Sequence, residues 1–140
     1  MRLSDFPQES RIVEMSYPTK VVFGIGALKR LPAQVERLKV KKALLVTDGG
    51  VVKSGLAERA IAVLRAAGIP FAVFDSVRPD PTERDAFEGV AAYRQSGCDG
   101  LIAIGGGSPL DTAKLIDLLV THEPPLSRYD DAAGGDRFIR

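Results

Sequence analysis

The sequence has little of what several classes of protein require. Cys98 is its only cysteine, so the chain cannot form an internal disulfide. His122 is its only histidine, and one histidine is too few for a metal site built from several such ligands. No apolar run approaches the length of a membrane-spanning helix, and residues 1–10 lack the continuous apolar segment of a signal peptide. The net charge of +1 gives no basic excess to attract nucleic acid. We therefore expect a cytoplasmic protein that binds neither nucleic acid nor a membrane.

What the sequence does contain is a regular alternation of two patterns. Short apolar runs bounded by turn residues predict strands, and stretches with apolar residues every three or four positions predict helices. The predicted strands are residues 21–23, 43–46, 70–74 and 101–104, and the predicted helices are residues 27–38, 56–67, 82–96 and 109–120. Strands that alternate with helices form βαβ units, so we expect an α/β fold with a parallel sheet.

A glycine run follows the strand predicted at residues 101–104. The three glycines, residues 105–107, have no side chains, so a ligand can approach the backbone closely. Ser108 stands at the expected N-cap of the next helix, with Pro109 as the first helical residue and Asp111 three residues after the cap. Such a helix start presents free N–H groups and the positive end of the helix dipole, which favours a bound phosphate. The alternative is a tight strand-to-helix turn that binds no ligand.

Two standard phosphate motifs do not describe this loop. The dinucleotide pattern G-x-G-x-x-G fits Gly105 and Gly107 but meets Leu110 where the third glycine belongs. The P-loop pattern is absent, because the sequence contains no Gly-Lys pair. Short motifs alone therefore predict an anion site without naming its ligand.

Longer segments resemble one known family. Residues 105–114, Gly-Gly-Gly-Ser-Pro-Leu-Asp-Thr-Ala-Lys, are similar to the signature of the iron-containing, or group III, alcohol dehydrogenases, relatives of glycerol dehydrogenase and dehydroquinate synthase. Further segments agree in order and spacing, and these are residues 18–28, 43–48, 79–82 and 129–135. The resemblance implies a Rossmann-like, dehydroquinate synthase-like nucleotide-binding domain over residues 17–140, incomplete at its C-terminal end. Residues 1–16 would then form an N-terminal arm.

The same family carries a second, all-helical domain, in which an Asp and three His hold a divalent metal, usually iron and sometimes zinc. Those ligands have no counterpart in the present sequence, so the resemblance implies a truncated chain without metal ligands or catalytic residues. It implies that the full-length protein is a homo-oligomeric, NAD-dependent alcohol dehydrogenase. Such an enzyme oxidises a small primary alcohol to an aldehyde by hydride transfer to NAD. The isolated chain would be inactive.

Two aspartates acquire candidate roles from the resemblance. Asp48 follows the strand at residues 43–46 and matches the family residue that binds the adenosine ribose and favours NAD over NADP. Its alternative role is that of a helix N-cap or turn residue. Asp80, between Pro79 and Pro81, matches a position near the nucleotide that is usually Asn. The alternative is a helix-entry turn in which Thr82 is the N-cap and Asp85 completes a capping box.

The glycine loop supplies the remaining candidates. By resemblance, Gly106, Gly107 and Ser108 would hold the pyrophosphate through backbone N–H groups and the Ser108 hydroxyl. Asp111 would complete the helix cap and could also reach the cofactor, whereas Lys114 is expected on the solvated face of the helix.

Two other functions fit the same residues. A glycerol dehydrogenase-like or other polyol dehydrogenase would share this domain, although that branch tends to carry Lys-Thr in place of Ser108-Pro109. A non-catalytic nucleotide-binding module would show the same loop.

Overall fold

The structure is a computed structural model that describes residues 13–16 and 19–139. The chain divides into two compact units, Met1–Lys39 and Val40–Arg140. Most of the expected N-terminal arm, residues 1–12, lies outside the described residues. The arm and its boundary at residue 17 stay a prediction.

The first unit contains a short antiparallel hairpin and a helix. Strand β1 (Val13–Ser16) pairs with β2 (Lys20–Phe23), so that Val13 lies opposite Phe23. A 3₁₀ turn (Ala27–Arg30) then leads into helix α1 (Leu31–Arg37). The helix predicted from residue 27 is thus present, with its first turn wound as 3₁₀.

The second unit is built on a parallel three-stranded sheet, which confirms the expected α/β fold. Strand β3 (Ala43–Asp48) lies between β4 (Phe71–Val77) and β5 (Gly100–Ala103). The partners of Ala43 are Phe71 on one side and Gly100 on the other. Because β3 is central, the whole run at residues 43–47 is fully buried, as expected for a parallel strand covered on both faces.

Four helices connect and cover these strands. They are α2 (Gly49–Lys53), α3 (Leu56–Ala66), α4 (Glu83–Gln95) and α5 (Gly107–Thr121). Three 3₁₀ turns follow, at Leu126–Tyr129, Asp131–Ala133 and Gly135–Phe138. No helix in the described part of the chain is long and apolar enough to cross a membrane.

The hydrophobic core of the second unit lies between the sheet and helices α4 and α5. Leu44 and Val46 of β3 join Phe74 of β4, Val90 of α4 and Ile116 of α5 in one buried cluster. Side chains alternate along a strand, so the intervening Leu45 and Thr47, which are also fully buried, face the opposite side of the sheet. The sheet therefore stands between two covered faces, and its strand ends are the places left for a ligand.

Candidate functional site

A cleft of about 390 Å³ lies at the carboxyl ends of the parallel strands. Its lining comes from three places that are far apart in sequence: the end of β3 with helix α2, the end of β4 with the loop after it, and the start of α5. The lining residues are Asp48, Gly49, Gly50, Lys53, Val77, Pro79 and Ser108. In open α/β sheets this edge is where ligands bind, so the cleft is the candidate site of the second unit.

Asp48 has one carboxylate oxygen engaged and one available. Its Oδ1 accepts hydrogen bonds from the backbone N–H groups of Gly50 at 2.8 Å and Val51 at 2.9 Å. These bonds make Asp48 the N-cap of α2, which confirms the alternative role given to it above. Its Oδ2 has no hydrogen-bond partner among the described residues, and Asp48 is one of the residues that line the cleft. The cap and a ligand can therefore share the same carboxylate.

Lys53 is a cleft residue that sequence reasoning missed. It is the last residue of α2 and is exposed. Within the residues that the structure describes, its ammonium forms no ion pair, although it shares the cleft with Asp48. The only signal was indirect: Gly49-Gly50 looked like a turn, so a helix that places Lys53 one turn further along was not predicted.

The helix after the glycine loop begins earlier than predicted. Helix α5 starts at Gly107 with Gly106 as its N-cap, and no side chain caps it. The prediction of Ser108 as N-cap and Pro109 as first helical residue is therefore wrong, because they are the second and third residues of the helix. Glycine is an acceptable N-cap, so Gly106 can end the loop and the helix can begin at Gly107. Proline fits the third position because the N–H it lacks would have no partner inside the helix.

Asp111 does not cap the helix. It is the fifth residue of α5 and is exposed, and its Oδ1 lies 3.0 Å from the Nζ of Lys114. The side chains are 64% and 77% exposed, so this ion pair contributes little to stability. The capping role predicted for Asp111 is wrong, because the helix starts two residues earlier than expected. The solvated position expected of Lys114 is confirmed.

The three glycines of the loop have different surroundings. Gly105 has a φ of +148°, and a Cβ there would lie 2.6 Å from Cγ of Pro109 and 3.3 Å from Cγ2 of Val51. It therefore serves the close approach of the loop to α5. A Cβ on Gly106 or Gly107 would meet no atom within 4 Å, so these two residues lie on the open side of the loop.

Two hydrogen bonds connect the start of the glycine loop, at Ile104, to the central strand β3. The Thr47 hydroxyl, fully buried at the end of β3, donates a 2.8 Å hydrogen bond to the carbonyl oxygen of Ile104. The N–H of Ile104 in turn donates to the carbonyl oxygen of Val46 at 2.9 Å. These two bonds fix the point at which the glycine loop leaves the sheet.

Asp80 occupies a conformation that few residues adopt. Its φ is +51°, in the left-handed region, where Asp and Asn are better tolerated than other residues with a Cβ. Its side chain is exposed, has no hydrogen-bond partner among the described residues and is not part of the cleft lining, whereas its neighbour Pro79 is. The left-handed turn gives a conformational reason for an Asp at this position.

The alternative helix-entry role of this segment is confirmed by a capping box. Asp85 is fully buried, and its Oδ2 accepts from the backbone N–H of Thr82 at 2.8 Å and from its hydroxyl at 2.9 Å. Arg78 adds two bonds that the sequence did not predict, from Nε to Oδ1 at 2.9 Å and from Nη2 to Oδ2 at 3.0 Å. Hydrogen bonds from Arg78, and then from the Thr82 backbone, hold the pKa of the Asp85 carboxyl well below its usual range.

Of the six predicted site residues, the structure brings two, Asp48 and Ser108, to the cleft. Gly106 and Gly107 immediately precede Ser108, whereas Asp111 lies further along α5. His122 is the C-cap residue after α5, and Cys98 is buried, which raises the pKa of its thiol. Within residues 13–16 and 19–139, no group of three or more His, Cys, Asp or Glu could hold a metal ion.

Comparisons with known proteins identify the family of this chain. Residues 18–139 match the family model described as iron-containing alcohol dehydrogenase. The chain belongs to the iron-containing alcohol dehydrogenase family. It is 44% identical to 4-hydroxybutyrate dehydrogenase of Cupriavidus necator over 88% of this chain and 32% of that protein. It is 45% identical to choline dehydrogenase of Bacillus subtilis over 84% of this chain and 29% of that protein.

A solved structure shares the same fold. A crystal structure of 1,3-propanediol oxidoreductase superposes with a TM-score of 0.71 at 40% identity, over 74% of this chain and 27% of that one. The chain spans about a third of the length of the curated relatives it matches, and it corresponds to their N-terminal part.

Proposed function

We propose that this chain is the NAD(H)-binding part of a metal-dependent alcohol dehydrogenase that converts a small primary alcohol to an aldehyde. One observation carries the proposal: a single cleft at the carboxyl ends of the strands is lined both by Asp48, whose Oδ1 alone caps α2, and by Ser108 at the start of α5. A ribose and a pyrophosphate need these two kinds of group, an acceptor carboxylate and free backbone N–H donors. Membership of the iron-containing family supplies the reaction class.

Each part of the cleft has a role in this proposal. The Oδ2 of Asp48 accepts hydrogen bonds from the adenosine ribose hydroxyls, while Oδ1 continues to cap α2. The N–H groups at residues 106–108 and the Ser108 hydroxyl bind the pyrophosphate, and the dipole of the 15-residue helix α5 favours its charge. Lys53, from the same lining, adds a positive charge near the phosphates.

The bound NAD supplies the hydride acceptor, and a metal ion, Fe²⁺ or Zn²⁺, would polarise the alcohol oxygen. We assign no metal ligands among the described residues, because no suitable cluster occurs there. We propose that the chain by itself binds the nucleotide without turning over an alcohol. Oxidation of ethanol or butanol by the 140-residue chain with NAD and Fe²⁺ would contradict that part of the proposal.

The alcohol itself is left open. The relatives carry names as different as 4-hydroxybutyrate dehydrogenase, choline dehydrogenase and NAD-dependent methanol dehydrogenase. Assembly as a homo-oligomer and a cytoplasmic location remain part of the proposal.

The test of the ribose assignment is Asp48→Asn. Asparagine caps a helix as well as aspartate does, so we expect the free energy of unfolding to change by less than about 0.5 kcal/mol. The charged acceptor for the ribose is lost, so the Kd for NAD should rise by roughly 10- to 100-fold, as for a lost hydrogen bond to a charged group. The preference for NAD over NADP should also shrink, because the carboxylate that repels a 2′-phosphate is gone. Calorimetric titration with both nucleotides measures these changes.

The matched control is Glu58→Gln. Glu58 is an exposed carboxylate on α3 that pairs with Arg65 and lies outside the cleft lining. Its replacement should leave the Kd for NAD within twofold of the starting value. Equal affinities for the original chain and the Asp48→Asn variant would refute the ribose assignment. No binding by the original chain at millimolar NAD would refute the proposed function.

A further inference from the structure

We propose that Asp85 and Arg78 are positioning residues for the nucleotide cleft, because together they hold the loop that forms one of its walls. This inference rests on the proposed function and deepens it. Neither residue lines the cleft, so the effect is transmitted through the loop at residues 78–82.

A single carboxylate closes this loop from both ends. Asp85 receives the Arg78 guanidinium at the beginning of the loop through two bonds of 2.9 and 3.0 Å. It receives the Thr82 backbone N–H and hydroxyl at the end of the loop at 2.8 and 2.9 Å. Four hydrogen bonds to one carboxylate therefore fix the distance between residues 78 and 82.

The loop depends on this tie because its own backbone can do little. Pro79 and Pro81 have no N–H to donate, and the N–H of Thr82 is the one that reaches Asp85. Between the prolines, Asp80 is held at a φ of +51°, a conformation that costs free energy in any residue with a Cβ. A strained segment with few backbone hydrogen bonds persists only when its surroundings hold it in place.

Burial makes the tie strong. The Asp85 side chain is fully buried, whereas that of Arg78 is 51% exposed. A buried carboxylate that loses one of its cationic or N–H partners is left with an uncompensated charge, so the arrangement favours keeping all four bonds together. The two-pronged geometry also fixes the direction of Arg78, which a lysine ammonium cannot do.

The loop continues directly from the cleft wall. Val77 lies opposite Asp48 in the register between β4 and β3, and both residues line the cleft. Pro79, two residues later, is the last residue of that wall and follows Arg78 directly. A shift of Arg78 therefore moves Pro79 relative to Asp48 and changes the space left for the adenosine ribose.

The test compares Arg78→Lys and Asp85→Asn with the original chain. Arg78→Lys keeps the charge but loses the two-pronged guanidinium, and Asp85→Asn keeps the size and an oxygen that can still accept the Thr82 N–H but loses the charge. We expect each change to raise the Kd for NAD and for 5′-AMP about tenfold, as a misplaced wall would. The Kd for inorganic pyrophosphate should change by less than twofold, since the proposed pyrophosphate donors, residues 106–108, belong to the start of α5 and not to this loop.

The pyrophosphate titration separates a positioning effect from a general loss of structure. A partly unfolded chain would lose affinity for NAD, 5′-AMP and pyrophosphate together. Calorimetry is run at a temperature at which circular dichroism shows each variant to be folded. The variant with both changes should bind no more weakly than either single variant, since each removes the same tie. The matched control is Arg84→Lys, which alters an exposed ion pair of 2.7 Å on α4, the helix that carries Asp85.

The outcomes are distinct. If the original chain binds NAD and both variants bind it equally well, the inference is overturned and the proposed function stands. If the original chain binds no NAD, both fall. Parallel losses of NAD, 5′-AMP and pyrophosphate would also overturn the inference. If Asp85→Asn does not fold, Arg78→Lys decides alone, because half of the Arg78 side chain already lies in solvent.

Discussion

The glycines of the loop after β5 show how neighbouring residues of one type can serve different ends. Gly105 is required by conformation, with its φ of +148° and its contact with Pro109. Gly106 has a φ of −84°, which other residues also adopt, and open space around it. Sequence alone shows three equivalent glycines, whereas the structure separates one that shapes the loop from two that leave room for a ligand.

Replacing each glycine by alanine tests this division. Gly105→Ala should lower the free energy of unfolding by about 2–4 kcal/mol, because the new Cβ is both strained and crowded. Gly106→Ala should lower it by less than about 1 kcal/mol, the usual difference between these residues at an N-cap, yet weaken NAD binding. Urea denaturation and NAD titration measure the two effects. Equal losses of stability in the two variants would show that the loop does not have the described geometry.

At the same scale, local rules predicted some site residues and missed others. The capping box of Thr82 and Asp85 follows from the three-residue spacing of a Thr and an Asp before a helical pattern. Arg78 could not be predicted as their partner, since nothing in the sequence links it to a carboxylate seven residues away on the other side of a loop. Lys53 was missed for a similar reason, because its place in the cleft depends on helix α2.

At the scale of elements, the alternation of strands and helices was predictable, and the ends of the elements were not. Strand β4 runs three residues beyond its predicted end at residue 74. The prediction ended there because Asp75 and Ser76 are polar, whereas in the structure both belong to the strand and are exposed. Helix α2 starts with two glycines, which are poor helix formers, and the N-cap bonds that Asp48 accepts from Gly50 and Val51 offset that cost. Helix α5 begins at Gly107 instead of Pro109.

The packing of α4 against α5 also depends on a single small residue. A Cβ on Gly89 of α4 would overlap Cδ1 of Ile116 on α5 and lie 3.4 Å from the ring of Phe74. Gly89 therefore permits the close approach of the two helices that cover the core face of the sheet. The helical pattern predicted α4 and α5 separately, but not the point at which they touch.

Gly89→Ala should accordingly destabilise the chain, by about 1–3 kcal/mol for an overpacked core. The cost should be smaller when Ile116 is already Val, because valine lacks the Cδ1 atom that the new Cβ would meet. Denaturation of the two single variants and the double variant provides the comparison. A cost for Gly89→Ala that is unchanged in the Ile116→Val background would mean that Cδ1 of Ile116 is not the atom that limits the approach of the two helices.

At the scale of the molecule, the candidate cleft belongs to the second unit alone. Its lining residues run from Asp48 to Ser108, within the unit Val40–Arg140. The sequence predicted the family and the parallel α/β fold, because a buried parallel sheet and a glycine loop leave clear patterns. Of the six candidate residues that it also predicted, two line the cleft. The cleft itself is assembled from three separate segments, so only the folded chain shows which side chains share it.

The most direct test of the central claim is an NMR titration of the ¹⁵N-labelled 140-residue chain with NAD. The account predicts saturable shifts of the backbone amides that surround the cleft, at Gly50, Lys53, Val77 and Ser108. It predicts no shifts at His122 or Tyr129, which line a separate depression. An unchanged spectrum at millimolar NAD, or shifts confined to that other depression, would contradict it.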